Sequence, residues 1–490
     1  MKENRPWIIW LTIIAVICFG LGIYLYYSFF RQSKSELIEA IPTDAVFILT
    51  LNDNDGFVSS TSKVAPYLNE LLVMDALPAY ETMRNKLPNG EYDLSVSGHG
   101  TDNGVSVLFN MHADKAAFKR LLRALSIDPN NYTAFEGNRI YTYGTNFKSM
   151  KFAYFNHIIS ISPDIEVLKR AIVQHAHPKN LFSDKQFKEM YELTEKNKKQ
   201  NWLIIQPQRY TAYLSSFLKE SLAKTMSGSL KGTDWTALQL RFSSNEMFLS
   251  GYAMVESQNN EDFEIQSHLM TDEMDLANIY PASADWYTHL EIRRGRDFNL
   301  KRLFKDSQTI HGLAPAEIGY FSLRGDSTTY RYVTLVRNMG HDPLEVFYND
   351  AAKADSARAA HPDGIYQTPE PPQPLMKAFA PDSASWFVVK DNALVFAESK
   401  EALKTYLASL KSNGSLTKNR LYNFVNEAVA SSARMNFVIL NEENNPFWYN
   451  QLSEKGKASH FGKDLRIFSF SHDDMENGQH LLPVNLYLLF

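Results

Sequence analysis

Cysteine is all but missing from this chain: Cys18 is the one thiol in 490 residues. Its rarity excludes disulfides, thiol catalysis and cysteine-ligated metals from everything that follows it, and is compatible with an oxidising compartment. Charge is missing from one long stretch. Trp7 to Phe30 contains no Asp, Glu, Lys or Arg. At about 1.5 Å per residue, a helix over that stretch crosses a hydrocarbon core of roughly 30 Å. Trp7 and Trp10 at one end, with Tyr24, Tyr26 and Tyr27 at the other, suit the two membrane interfaces. An excess of basic residues is missing too. The chain carries a net charge of −5. Residues 1–36 hold Lys2, Arg5, Arg31 and Lys34 against Glu3 and Glu36, a net of +2, which leaves −7 for the remainder. A mildly acidic chain without basic clusters argues against nucleic acid as a partner.

Catalytic signatures are absent as well. There is no Gly-x-Ser-x-Gly elbow and no P-loop, and Gly98, Gly100 and Gly104 miss a dinucleotide fingerprint by one residue. Ser-x-x-Lys occurs at Ser60/Lys63, Ser216/Lys219 and Ser415/Lys418, but its companion motifs do not, and Lys231-Gly232-Thr233 has the wrong order. Asn52-Asp53-Asn54-Asp55-Gly56 fails as a calcium loop, because Leu51 and Ser62 fall where carboxylates are required. His175-Ala176-His177 lacks a third ligand nearby and suits the negative end of a helix better than a metal. His99, Asp102 and the pair His472-Asp473 fall in predicted hairpin turns, where exposure is the ordinary explanation. No catalytic, cofactor-binding or metal-ligating residue is therefore assigned.

What is present is an anchor and a repeat. Phe29-Phe30-Arg31-Gln32 offers no small-x-small cleavage site, so an uncleaved signal anchor over residues 7–30 is expected. Ile17 before Cys18 is too bulky for lipoprotein processing. Lys2 and Arg5 balance Arg31 and Lys34, and the short leading tail favours a cytoplasmic N-terminus with the bulk of the chain periplasmic. Beyond the anchor, Ile41-Pro42-Thr43-Asp44-Ala45 recurs as Tyr280-Pro281-Ala282-Ser283-Ala284, an offset of 239. Phe152 through Gln206 then lies over Phe387 through Asn441 at a constant offset of 235. Identities are few, but strand, helix and strand keep one register.

Each half reads as an opening strand (Val46–Leu51; Trp286–Leu290), a helical stretch (Val64–Lys86; Leu300–Ile310) and a hairpin. Those hairpins turn at Gly98–Gly104 and Gly325–Thr328. An amphipathic helix over Asp114–Leu125, a second hairpin ending at Ile161, a helix opening at Pro163-Asp164, strand Trp202–Gln206 and a closing hairpin over Leu238–Met254 complete the first half. The second closes with Ile467–Ser471 and Pro483–Phe490. The alternation of Leu482, Val484, Leu486, Leu488 and Phe490 imitates a barrel strand. The interleaved helices speak against a barrel. The expected fold is thus α+β: one transmembrane helix, then two tandem duplicated, mainly antiparallel domains. The boundaries are 1–36 for tail and anchor, 37–259 and 260–490, with a polar linker in Glu256–Asp275 and a proline-rich surface loop over His361–Pro374 aligned with Gly137–Lys148.

The Ile41-Pro42-Thr43-Asp44-Ala45 opening, together with Leu181-x-x-Asp184-x-x-Phe187, resembles a family of bacterial membrane-anchored extracytoplasmic proteins of unknown function. The second half departs from it at Ser283 and reads Leu416-x-x-Asn419-x-x-Tyr422. The resemblance implies location and fold, and brings no site residues. The functional expectation is non-catalytic binding or scaffolding in the cell envelope. Its partner would be a protein, lipid or glycan, held where the paired domains form a concave surface. The alternative is an envelope hydrolase with an unrecognised Asp, Glu or His site.

Overall fold

The structure, a computed structural model, describes residues 37–490 except 52–64, 73–75, 88–93, 103, 145–148, 178, 197–199, 221–232, 244, 256–274, 292–316, 325–328, 337–341, 349, 369–370, 374–379, 382, 392, 429–434, 442–445 and 473–480. The anchor 7–30, the Asn52–Gly56 turn, the helical stretch Leu300–Ile310, the Gly325–Thr328 turn and nearly all of the Glu256–Asp275 linker lie outside the described residues. No described helix is long and apolar enough to cross a membrane. The fold is mixed α+β, with nineteen strands among the described residues. The described residues separate into two compact units, those within 1–57 and 72–201, and those within 58–71 and 202–490.

In the first unit the strands are β1 (Ala45–Leu51), β2 (Leu94–Thr101), β3 (Gly104–His112), β4 (Thr133–Phe135), β5 (Asn138–Gly144), β6 (Ser149–Phe155) and β7 (Ile158–Ser162). They pair antiparallel in the order β4-β5-β6-β7-β3-β2-β1. Pro42 starts β1: its carbonyl accepts from the Ala45 amide at 3.1 Å, a tight turn that needs no proline N–H. Helices cover both faces. Tyr80 of α1 (Leu77–Arg84) stacks on Phe109 at 4.5 Å. Phe118 of α2 (Lys115–Ala124) lies 5.1 Å from Tyr154 on that same face. Leu108, Ala153 and Ile158 turn the other way, into a core with Val167, Leu168 and Ala171 of α3 (Ile165–Ala176). Burial on two faces is why β7 reads Ile-Ile-Ser-Ile-Ser rather than as a clean alternation. A short 3-10 turn, Leu181–Ser183, leads into α4 (Lys185–Lys196).

The second unit contains β8 (Trp202–Ile205), β9 (Thr233–Phe242), β10 (Glu246–Val255), β11 (Trp286–Glu291), β12 (Glu317–Arg324), β13 (Thr329–Val336), β14 (Ile365–Gln367), β15 (Trp386–Lys390), β16 (Ala393–Ala397), β17 (Met435–Leu440), β18 (Ile467–His472) and β19 (Leu481–Leu489). Their antiparallel order is β14-β15-β16-β13-β12-β11-β17-β18-β19-β10-β9-β8. The run β14-β15-β16-β13-β12-β11 has the same chain order as β5-β6-β7-β3-β2-β1 in the first unit. The rungs agree as well. Ile140-Tyr141 faces Ala153 and Phe152, while Ile365-Tyr366 faces Val388 and Phe387. Pro281 accepts from Ala284, as Pro42 does from Ala45. The alternating C-terminal residues form β19, a strand hydrogen-bonded on both sides, to β10 and to β18.

The core of this unit is a cage of aromatic rings. Phe321 stacks on Tyr332 at 4.6 Å, with Tyr280 at 4.7 Å from Phe321 and Tyr406 at 5.9 Å from Tyr332. Each phenol donates to a backbone carbonyl: Tyr280 to Thr288, Tyr332 to Ala402 and Tyr406 to Ile279. Tyr406 sits on α5 (Lys400–Asn413), which is followed by a 3-10 turn at Leu416–Lys418 and by α6 (Arg420–Ala428).

Three sequence expectations are corrected. The Val64–Lys86 stretch is broken into the helices Ala65–Leu71 and Leu77–Arg84. The loop expected over Gly137–Lys148 is largely strand β5, and Ile365–Gln367 within the proline-rich stretch is strand β14. Strand β2 runs on to Thr101, so His99 is in a strand and not in a turn. The pairing of His99 with Ser106 across the hairpin, continued by Gly100 with Val105, outweighs the turn propensity of the glycines around it.

Candidate functional site

Two clusters of polar side chains in the first unit bear on function. The first is interior. His99 is fully buried and lies between Ser97, whose Oγ is 2.8 Å from Nε2, and Asp44, whose Oδ1 is 3.1 Å from Nδ1. A carboxylate only accepts, so in the neutral ring Nδ1 carries the proton and Nε2 accepts from the Ser97 hydroxyl. Arg170 of α3 pairs with the other oxygen of Asp44 and donates to the Gly100 carbonyl at 2.8 Å. These are the contacts of a Ser-His-Asp triad, yet the burial is inverted. Asp44 is 42% exposed and Ser97 only 1%. A nucleophile must meet substrate, and this hydroxyl faces packed side chains. The arrangement ties the start of β1 to β2 and α3. Gly98 allows β2 to pack this closely, because a Cβ there would overlap the edge of the Phe47 ring.

The corresponding rungs of the second unit are apolar. Ser97 pairs with Ile48 and Leu108, where Phe321 pairs with Tyr287 and Tyr332. That unit has its own buried pair one strand over: His289 Nε2 lies 3.1 Å from Glu317 Oε2, which also accepts from the Leu276 amide. Both side chains are at most 5% exposed, out of reach of a substrate.

The second cluster is open. A groove of about 750 Å³ runs between α2 and β5–β6. Its walls carry Lys115, Lys119 and Arg123 from α2 and Arg139 from β5, and no Asp, Glu or His lines it. The floor is Phe118, Leu122, Tyr141 and Tyr154. Local sequence builds it simply. Asp114 caps α2 by accepting from Ala117 at 2.5 Å. Helical spacing then turns Phe118, Leu121 and Leu122 inward and leaves the cations outward. Arg139 lies 4.5 Å above the Tyr132 ring, a cation–π contact that holds the guanidinium at the rim. Burial, with Asp114 nearby, raises the Tyr154 phenol above its ordinary value. No residue of this groove was singled out in the sequence. The signal was there in Lys115, Lys119 and Arg123, three cations on one amphipathic helix.

The remaining sequence candidates scatter. His175 bonds Asn156 at 2.8 Å and His177 accepts from the Lys179 amide, so the two imidazoles serve the end of α3 separately. Asp102 is exposed in the β2–β3 turn. Ser415 bonds Thr417, and Ser216 accepts from Lys455 at 3.4 Å. Ser60, Lys63, Lys231 and Asp473 lie outside the described residues, as does the side chain of His472. Among the described residues no group of His, Cys, Asp and Glu is placed to hold a metal ion.

No family model matches the sequence, and no curated protein does. Among solved structures the chain has a distant similarity to TP0453, a Treponema membrane-associated protein. Crystal forms III, IV and I match at 11% identity with TM-scores of 0.23, 0.24 and 0.25. They cover 48%, 49% and 47% of this chain, and 88%, 88% and 82% of TP0453.

Proposed function

We propose that this chain is a membrane-anchored, extracytoplasmic, non-catalytic binding protein, built from two copies of one α+β domain and working through the groove of the first. The groove carries the reading: it is open, lined by cations and aromatic rings, and free of any carboxylate or imidazole that could move a proton. The hydrolase alternative needs an acid or base at an accessible surface, and the triad-like cluster around His99 buries its hydroxyl. The duplication is supported by the shared strand order and by the Pro42/Pro281 turns. The anchor reading rests on the uncharged, aromatic-flanked residues 7–30, and the periplasmic side is proposed with it. An anchor of this kind raises the effective concentration of a membrane-proximal ligand without strong intrinsic affinity.

The full chain, purified from its own membranes and released intact into a mass spectrometer, should carry a small molecule. That molecule should be absent from a Lys119→Ala/Arg123→Ala/Arg139→Ala variant. A protein that arrives empty and hydrolyses an envelope substrate overturns the binding reading. Protease added to spheroplasts should degrade the bulk of the chain, and its complete protection would reverse the proposed orientation.

A further inference from the structure

We infer that the groove takes an amphiphilic anion, its phosphate- or carboxylate-type head held by Lys119, Arg123 and Arg139 and its apolar body laid on Phe118, Leu122 and Tyr141. This rests on the binding reading above and names the chemistry of its ligand. Four observations carry it.

The cations converge without compensation. No ion pair joins Lys115, Lys119, Arg123 or Arg139 to a carboxylate among the described residues, and no carboxylate lines the groove. Like charges gathered in a concave site repel one another and concentrate anions from solution. Guanidinium groups favour the planar, paired geometry of phosphate and carboxylate oxygens.

Helix stability accounts for Arg123, which lies in the last turn of α2 where the dipole favours a cation, but not for the cation at the other end. Lys115 occupies the first turn of α2, where no acidic residue is present. The helix dipole disfavours a cation at that end.

Nor does the fold require them. On the rungs of the second unit that match β5, Gly364 stands in the place of Arg139 and Asp363 in that of Asn138, with Ile365-Tyr366 repeating Ile140-Tyr141 beside them. Where Tyr154 follows Ala153, Val389 follows Val388.

The floor completes the argument. Phe118, Leu122 and Tyr141 are at most 8% exposed yet line the groove. A bare inorganic anion would satisfy the cations and leave wet the ring edges that reach the groove and half-buried Tyr154, while a neutral apolar molecule would do the reverse. An amphiphile satisfies both. A volume near 750 Å³ falls within the roughly 300–1,000 Å³ range of small-molecule sites.

The test uses the full chain in phosphatidylcholine nanodiscs, with empty nanodiscs as the partition control. Octyl phosphate, octyl glucoside and inorganic phosphate are titrated below micelle-forming concentrations. Octyl phosphate should bind about tenfold or more tightly than either of the others, a gap of roughly 1.4 kcal/mol or larger. That preference should vanish in the Lys119→Ala/Arg123→Ala/Arg139→Ala variant at an unchanged melting temperature, since all three side chains are exposed. Adding phosphatidylglycerol to the nanodiscs separates the sources. Competition with octyl phosphate upholds the inference with a bilayer lipid as ligand, and its absence upholds it with a free amphiphile. Equal affinity for inorganic and octyl phosphate, or undiminished binding in the triple variant, overturns it. A co-purifying neutral molecule that still depends on the three cations would overturn the inference and leave the binding reading standing.

Discussion

At the scale of single residues, burial decides which polar groups matter for stability. Ser97 and Asp44 hold the two ends of the same imidazole, but one hydroxyl is sealed and one carboxylate is 42% exposed. Ser97→Ala should cost about 1–3 kcal/mol, because it strands Nε2 of a fully buried ring. Asp44→Asn should cost less, about 1 kcal/mol or below, since its pair with Arg170 is screened by water and the amide oxygen still accepts from Nδ1. Urea titrations of both variants check the ranking, and the opposite order would show that the charge pair is the principal tie. Gly98 supplies a steric test. Phe47 is wholly buried and cannot retreat from an added methyl, so Gly98→Ala should destabilise by about 1–3 kcal/mol through overpacking. An unchanged denaturation midpoint would mean that β1 can shift to make room. None of this was legible beforehand. His99 sits between two glycines, which signals a turn locally, and only pairing with β3 makes the segment a strand.

At the scale of elements, the short motifs were readable and the structure supplies their mechanics. Leu181-x-x-Asp184-x-x-Phe187 and Leu416-x-x-Asn419-x-x-Tyr422 form the same device. A buried leucine fills a 3-10 turn, and a carboxylate or amide oxygen caps the next helix. Asp184 Oδ1 accepts from Gln186 and Phe187 at 2.9 and 3.2 Å, and Asn419 Oδ1 from Leu421 and Tyr422 at 2.8 and 3.1 Å. The exchange of Asp for Asn is thus nearly neutral, as both present an acceptor to the second and third helical amides. Asp184→Ala and Asn419→Ala should each cost about 1 kcal/mol. The Asn419 variant should lose somewhat more, because its Nδ2 also donates to the Ala282 carbonyl. Chemical denaturation of the two variants measures this, and a cap that costs nothing would remove the device from α4 or α6. What escaped the sequence at this scale was the division of long polar-apolar stretches. Ala65–Leu71 and Leu77–Arg84 read as one helix because the helical period continues through the break. Strand β14 was hidden because three residues are too few to show an alternation.

At the scale of the molecule, both halves share an apolar skeleton and differ in what fills it. The offset of 235 between Phe152 and Phe387 persists in the rungs of β6–β7 and β15–β16. An ungapped stretch was therefore legible. The groove was not, since its cations come from segments about twenty residues apart that only β5 and α2 bring together. The interior of the second unit yields the last prediction. Burial raises the Tyr280 and Tyr287 phenols well above their ordinary value of 10.0, and raises Tyr332 and Tyr406 for the same first cause. Three of these hydroxyls also donate to carbonyls, bonds that ionisation would abolish. The folded state therefore keeps protons that the unfolded chain gives up once the pH passes about 10. Stability from these phenols is complete below that pH and falls above it, by up to about 1.4 kcal/mol per pH unit for each phenol that stays protonated only when folded. Several acting together make the loss steep. In an alkaline titration, tyrosinate absorbance should thus rise in one cooperative step that coincides with the loss of near-ultraviolet dichroism. Tyr406→Phe should make that step shallower, while costing about 1 kcal/mol at neutral pH for the lost bond to Ile279. Phenols that ionise one by one in a chain whose dichroism is unchanged would mean that water reaches the cage without unfolding it, and that the tyrosines do not hold the second unit shut.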